Sequence, residues 1–151
     1  MKSTNASTPR SGACVRIACE GSDIAFITAA LKVAPTRTCI AGERRSATSV
    51  AAGRHEQSIW MLESTLPETS SLEEQIASVT KFLEQSRDGL SSIQDRVLGV
   101  DMFCLFSTND GQGSIELSAS LLRRLGNLGV DLVIDVYSDS SENEATSGDK
   151  D

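Results

Sequence analysis

The chain has 151 residues, 39% hydrophobic and 23% charged, which suits a single soluble globular domain able to bury a sizeable core. Its net charge is −7; setting aside the tail from residue 138 (−4) and the first twelve residues (+2) leaves −5 for residues 13–137, a balance that argues against a general nucleic-acid binder and suits a basic protein partner. No apolar run approaches the roughly 20 residues that cross a bilayer, and Met1–Arg10 lacks the apolar core of a signal peptide, so a cytoplasmic protein with no membrane part is expected.

Residues 1–12 read as a flexible segment. Ala13–Glu20 alternates as a first strand, with Val15, Ile17 and Cys19 on one face and Cys14, Arg16 and Ala18 on the other. Gly21 ends it, and Ser22 or Asp23 caps a helix carrying Ile24, Ile27, Ala30 and Leu31, which Pro35 stops. Thr36–Gln57 is polar, broken by Gly42 and Gly53, and reads as a long loop. Ser58–Glu63 is a strand with Trp60 and Leu62 on one side and Ile59 and Met61 on the other, left at Pro67. The clearest helix follows, because Ser71-Leu-Glu-Glu74 is a capping box and Leu72, Ile76, Val79 and Leu83 step along one face. Gly89 interrupts it, and Leu90, Ile93 and Val97 continue the apolar spacing.

Val100–Phe106 is an apolar run that stops at the turn cluster Ser107–Gly113, and Ser114–Leu117 resumes as a short strand, so a hairpin is expected there. Ser118 or Ser120 caps a helix holding Leu121, Leu122, Leu125 and Leu128, Gly126 and Gly129 bracket its end, and Val130–Tyr137 alternates as the last strand. The order β-α-β-α-β-β-α-β predicts an α+β two-layer sandwich, a mixed or antiparallel sheet of about five strands covered by two to three helices. The domain spans 13–137, followed by a disordered acidic tail over 138–151.

The four cysteines, Cys14, Cys19, Cys39 and Cys104, form no Cys-x-x-Cys pair and suit reduced thiols; Cys104 lies between Phe103 and Leu105, where burial raises a thiol pKa. With His55 as the only histidine, a mixed zinc site cannot be assembled, and neither metal nor cofactor is expected. The loop gathers Arg37, Arg44, Arg45, Arg54 and His55, a candidate ligand-binding set, since guanidinium forks suit phosphate; no glycine-rich phosphate loop accompanies it. Asp131 and Asp135 share one face of the last strand with Val133 and Tyr137, about 13 Å apart along it, too far for a paired acid and base. With Asp101, Asp110 and Glu116 they form a candidate acidic patch for a cationic partner. No catalytic residues are found, and the chain is not expected to be an enzyme.

Several segments resemble a bacterial family catalogued as domain of unknown function 4279, over roughly Cys14–Tyr137. They are Leu31-Lys-Val-Ala-Pro-Thr36, Ala41-Gly-Glu43 and Ser58-Ile-Trp-Met-Leu-Glu63, then Glu116-Leu-Ser-Ala-Ser-Leu-Leu122, Leu128-Gly-Val-Asp-Leu132 and Ile134-Asp-Val-Tyr137. None is a catalytic motif. Related small acidic proteins look like immunity proteins of bacterial toxin systems, including contact-dependent growth inhibition. The resemblance therefore implies a protein that neutralises a cognate toxin domain, for instance a nuclease, by protein binding; the oligomeric state is left open with a monomer favoured, and neither nucleic acid nor membrane is expected as a partner. The alternative expectation is a small-ligand or peptide binding module that reads its ligand through the arginine loop.

Overall fold

The computed structural model describes residues 9–138. The expected acidic tail and residues 1–8 of the expected flexible segment lie outside them, apart from Ser138, which closes the last strand. The elements are β1 (Arg10–Cys19), α1 (Ala25–Leu31), β2 (Arg37–Cys39), β3 (Ser58–Glu63), α2 (Leu72–Gln85), α3 (Arg87–Ile93), β4 (Gly99–Thr108), α4 (Ala119–Leu128) and β5 (Asp131–Ser138). The strands form one mixed sheet in the order β2-β3-β1-β4-β5, antiparallel throughout except for the parallel β4–β5 pair. This is the expected α+β sandwich, with four α-helices among the described residues where two to three were expected.

Strand alternation decides what the helices cover. Val15, Ile17, Trp60, Met102 and Cys104 share one side of the sheet and pack with Ile27, Leu31, Ile76, Val79, Leu83, Leu90, Ile93, Leu121, Leu125 and Leu128 in one buried cluster. All four helices therefore feed the same face. Trp60 reaches that cluster with its polar edge satisfied, its Nε1 donating to Thr28 Oγ1 of α1 at 3.0 Å.

The helix ends follow the chemistry expected of them. Ser71 and Glu74 make the reciprocal capping box of α2, Ser118 Oγ accepts from Leu121 N to cap α4, and Gly129 closes α4 at φ 69° in the left-handed region. For α1, Asp23 Oδ1 accepts from Ala25 N, although Ile24 holds the N-cap position. Gly89 does not interrupt a helix. The break falls at Ser86, and Gly89 lies inside α3 because a Cβ there would come within 1.9 Å of the Ala30 carbonyl oxygen of α1.

Three further expectations are corrected. The hairpin is absent: Ser114–Leu117 is not a strand, and β4 leads through α4 to a parallel β5, a connection that requires a crossover rather than a turn. Ile115 and Leu117 alternate because an extended segment lays both against the core, and extended chain does not need a ladder partner. The fifth strand is instead β2, cut from the segment read as loop, where Thr38 pairs with Trp60. β1 also starts at Arg10, inside the segment expected to be flexible, because its first residues are tied on both sides. Gly12 pairs with Leu105, Ser11 Oγ donates to Ser70 O at 2.6 Å, and the buried Gln75 Nε2 donates to Ser11 O at 3.1 Å.

Candidate functional site

Among the described residues the other side of the sheet carries no helix, and strand parity with the pairing register fixes what it displays. One row across all five strands reads Arg37, Met61, Arg16, Asp101, Asp131. The next reads Glu63, Cys14, Phe103, Val133; beyond it lie Gly12, Leu105, Asp135, and then Arg10, Ser107, Tyr137. Met61 and Cys14 are buried, yet they stand outside the main hydrophobic cluster, and the Arg37 guanidinium reaches Met61 Sδ at 3.8 Å.

Arg16 organises the centre. A cation in the middle of a central strand needs a partner within reach, and Asp101 lies directly opposite on β4. The contact is a two-pronged fork, Nε to Oδ1 at 2.8 Å and Nη2 to Oδ2 at 2.7 Å, with the guanidinium 4.1 Å above the Phe103 ring. The Asp101 hydrogen bond holds the Arg16 pKa above its ordinary value against the opposing effect of burial. Toward β2, Arg37 pairs with Glu63 at 3.5 Å. Toward β5 the face becomes apolar and open, with Leu105 44%, Val133 36% and Tyr137 53% exposed.

The five acids of the expected patch divide. Asp101, Asp131 and Asp135 share the uncovered face, Asp101 and Asp131 as direct neighbours on the parallel pair, while the charge of Asp101 is taken up by Arg16. Tyr137 Oη donates to Asp135 Oδ2 at 3.3 Å. Asp110 and Glu116 belong to the connection between β4 and α4. The first shapes a turn by accepting from Gln112 N, and the second borders a groove with Ser71, Leu72 and Glu73 at the start of α2.

The basic set divides as well. Arg37 joins the sheet face, whereas Arg44, Arg45, Arg54 and His55 build a small folded excursion between β2 and β3. Arg44 and Arg54 form an isolated bridge, Gly42 N donates to His55 O, and His55 N donates to Glu43 O. Arg54 Nη1 donates to Gly42 O at 2.6 Å and Arg45 Nε to Arg54 O at 3.2 Å, so two of these guanidinium groups fasten the excursion itself. Among the described residues no group of three or more His, Cys, Asp or Glu side chains is placed to hold a metal ion.

The buried thiols Cys14, Cys19 and Cys104 are poor nucleophiles. Burial pushes Cys104 up to about 12, and burial followed by the Glu63 charge raises Cys14. Sequence reasoning missed Arg16, Phe103 and Leu105 as site residues. The available signal was Arg16 itself, a charge in the interior of an otherwise apolar strand.

An α+β sandwich with one sheet face uncovered among the described residues, a forked ion pair at its centre and exposed apolar side chains beside it defines an open-faced domain. The chain belongs to the family described as Domain of unknown function (DUF4279), which it matches over residues 10–139. No curated protein and no solved structure matches it.

Proposed function

We propose that the protein is an immunity protein that binds one bacterial toxin domain on the uncovered sheet face and blocks its active site or its access to substrate. The make-up of that face carries the reading. Leu105, Val133 and Tyr137 supply exposed apolar surface, Asp131 and Asp135 supply charge for a cationic partner, and the Arg16–Asp101 fork holds the centre in a fixed arrangement. The five strands, 3 to 10 residues long, at about 3.3 Å per residue and about 4.8 Å spacing present roughly 600 Å², near the ~800 Å² per partner of a specific complex. The role is binding rather than catalysis, exercised in the cytoplasm of the protected cell. A ligand module reading through the arginine excursion has less support, because Arg45 and Arg54 donate to carbonyls of their own loop.

Titration calorimetry with the toxin domain encoded beside this protein tests the reading. The expected result is tight binding that weakens as salt rises and drops at least about tenfold in Leu105→Arg, whose charge would meet a cationic surface. Absence of binding, or equal binding by Leu105→Arg, refutes docking on this face.

A further inference from the structure

We infer that the outer edge of β5 docks a basic, extended segment of the partner, which joins the sheet as a sixth strand. This rests on the reading of the protein as a partner-binding domain and specifies how the partner engages.

The sheet has two edges, and they differ. β2 is three residues long and begins with Arg37, so it offers little to pair with and carries a cation. β5 runs for eight residues, Asp131–Ser138, without proline or lysine, and none of its residues is fully buried. Its inner edge is bonded to β4 along its whole length, and among the described residues nothing pairs with its outer edge. A strand leaves alternate N–H and C=O groups pointing outward, so the outer edge of β5 is a prepared ladder. Val136, on the helix side of this strand, is 63% exposed, an apolar contact for whatever lies alongside.

Charge selects the occupant. On the uncovered face β5 displays Asp131, Val133, Asp135 and Tyr137 in alternation. A second copy paired through the same edge about a two-fold axis would put Asp131 and Asp135 of both strands on one side of a single ladder. Four carboxylates on two adjacent strands repel, so self-pairing is disfavoured. A strand with lysine or arginine at alternate positions reverses the sign of those cross-strand terms, while its intervening apolar side chains cover Val136. The five acids of the sequence beyond Ser138 act in the same direction, attracting a cationic segment toward this end of the chain.

The test uses the full chain with a capped octapeptide of alternating lysine and valine as probe, and the same peptide with glutamate in place of lysine as control. The lysine peptide is expected to slow amide exchange within residues 131–138 and to bind at least about tenfold more weakly to the double variant Asp131→Lys/Asp135→Lys. Val136→Lys, at an exposed site that leaves the core untouched, is expected to weaken it similarly, with circular dichroism reporting that the fold is kept. Lack of protection, equal protection by the glutamate peptide, or concentration-dependent protection of β5 without any peptide overturns the inference. The neighbouring toxin domain separates this proposal from the broader one. If it binds the wild type and Val136→Lys equally, strand addition falls and face docking stands. If it binds neither while the lysine peptide protects β5, the edge site stands and toxin neutralisation falls.

Discussion

Gly89→Ala sets two principles against each other. Within α3, replacing glycine by alanine ordinarily adds about 1 kcal/mol of helix stability. The structure reverses that sign. A Cβ at position 89 would lie 1.9 Å from the Ala30 carbonyl oxygen and 2.7 Å from its carbon, and both atoms are backbone, which cannot rotate aside as a side chain can. Reaching ordinary contact at 3.4 Å requires α1 and α3 to part by about 1.5 Å, the difference between 3.4 and 1.9 Å. That movement strains the 2.9 Å hydrogen bond from Ser86 Oγ to Leu31 O and opens the packing of Leu31 and Leu90, both buried. Overpacking of this kind costs about 3 kcal/mol at the upper end of its usual range, and a lost hydrogen bond about 1. Against the ~1 kcal/mol of propensity, the net loss is about 3 kcal/mol. With a urea m-value near 2 kcal/mol/M, the midpoint falls by about 1.5 M. An unchanged or raised midpoint would show that α1 and α3 are not in contact at this point and would refute the argument.

Three further outcomes are expected. Ser71→Ala removes the hydroxyl that accepts from Glu74 N and should cost about 1 kcal/mol in a urea melt, whereas Ser71→Asp, which keeps an acceptor, should cost far less. A thiol reagent added to the native protein should modify Cys39 first, since Cys14, Cys19 and Cys104 are buried; all four should react in denaturant, and four fast thiols in the native state would contradict the core assignment. Arg124 holds the Glu84 carboxyl below its ordinary 4.5, so this pair contributes stability above that pH and loses it as pH falls through the lower folded value. Glu84→Gln should flatten part of the acid limb of a stability–pH profile, and an acid limb of unchanged slope would remove the pair from the account.

What the sequence disclosed was what local chemistry decides. The capping box at Ser71, the amphipathic spacing of α2 and α4, and the alternation of β1, β3 and β5 each depend on neighbours a few residues away. They were legible for that reason. β2 was not, because three residues in a polar stretch become a strand only when Trp60 and its neighbours offer an edge. The hairpin expected after β4 failed because an extended, alternating segment looks alike whether its partner is a strand or a hydrophobic core. The site shows the same division. Parity placed Asp131 and Asp135 on one face, but the proximity of Asp101 needed the β4–β5 register and its neutralisation by Arg16 needed the β1–β4 register. Which face of the sheet stays bare is not a property of any strand, since it depends on the side to which all four helices fold.

The position of β1 has a consequence for how the chain comes to be made. This strand lies at the centre of the sheet, and its partner β4 begins at Gly99, 80 residues after Cys19. At translation rates of about 5–20 residues per second, that interval lasts roughly 4–16 s. During it β3 and the helices α1 to α3 are made, so Val15 and Ile17 gain β3 on one side and the cover of α2, while the other side of β1 waits for β4. One side of the central strand therefore stays an open ladder on the nascent chain until β4 is made.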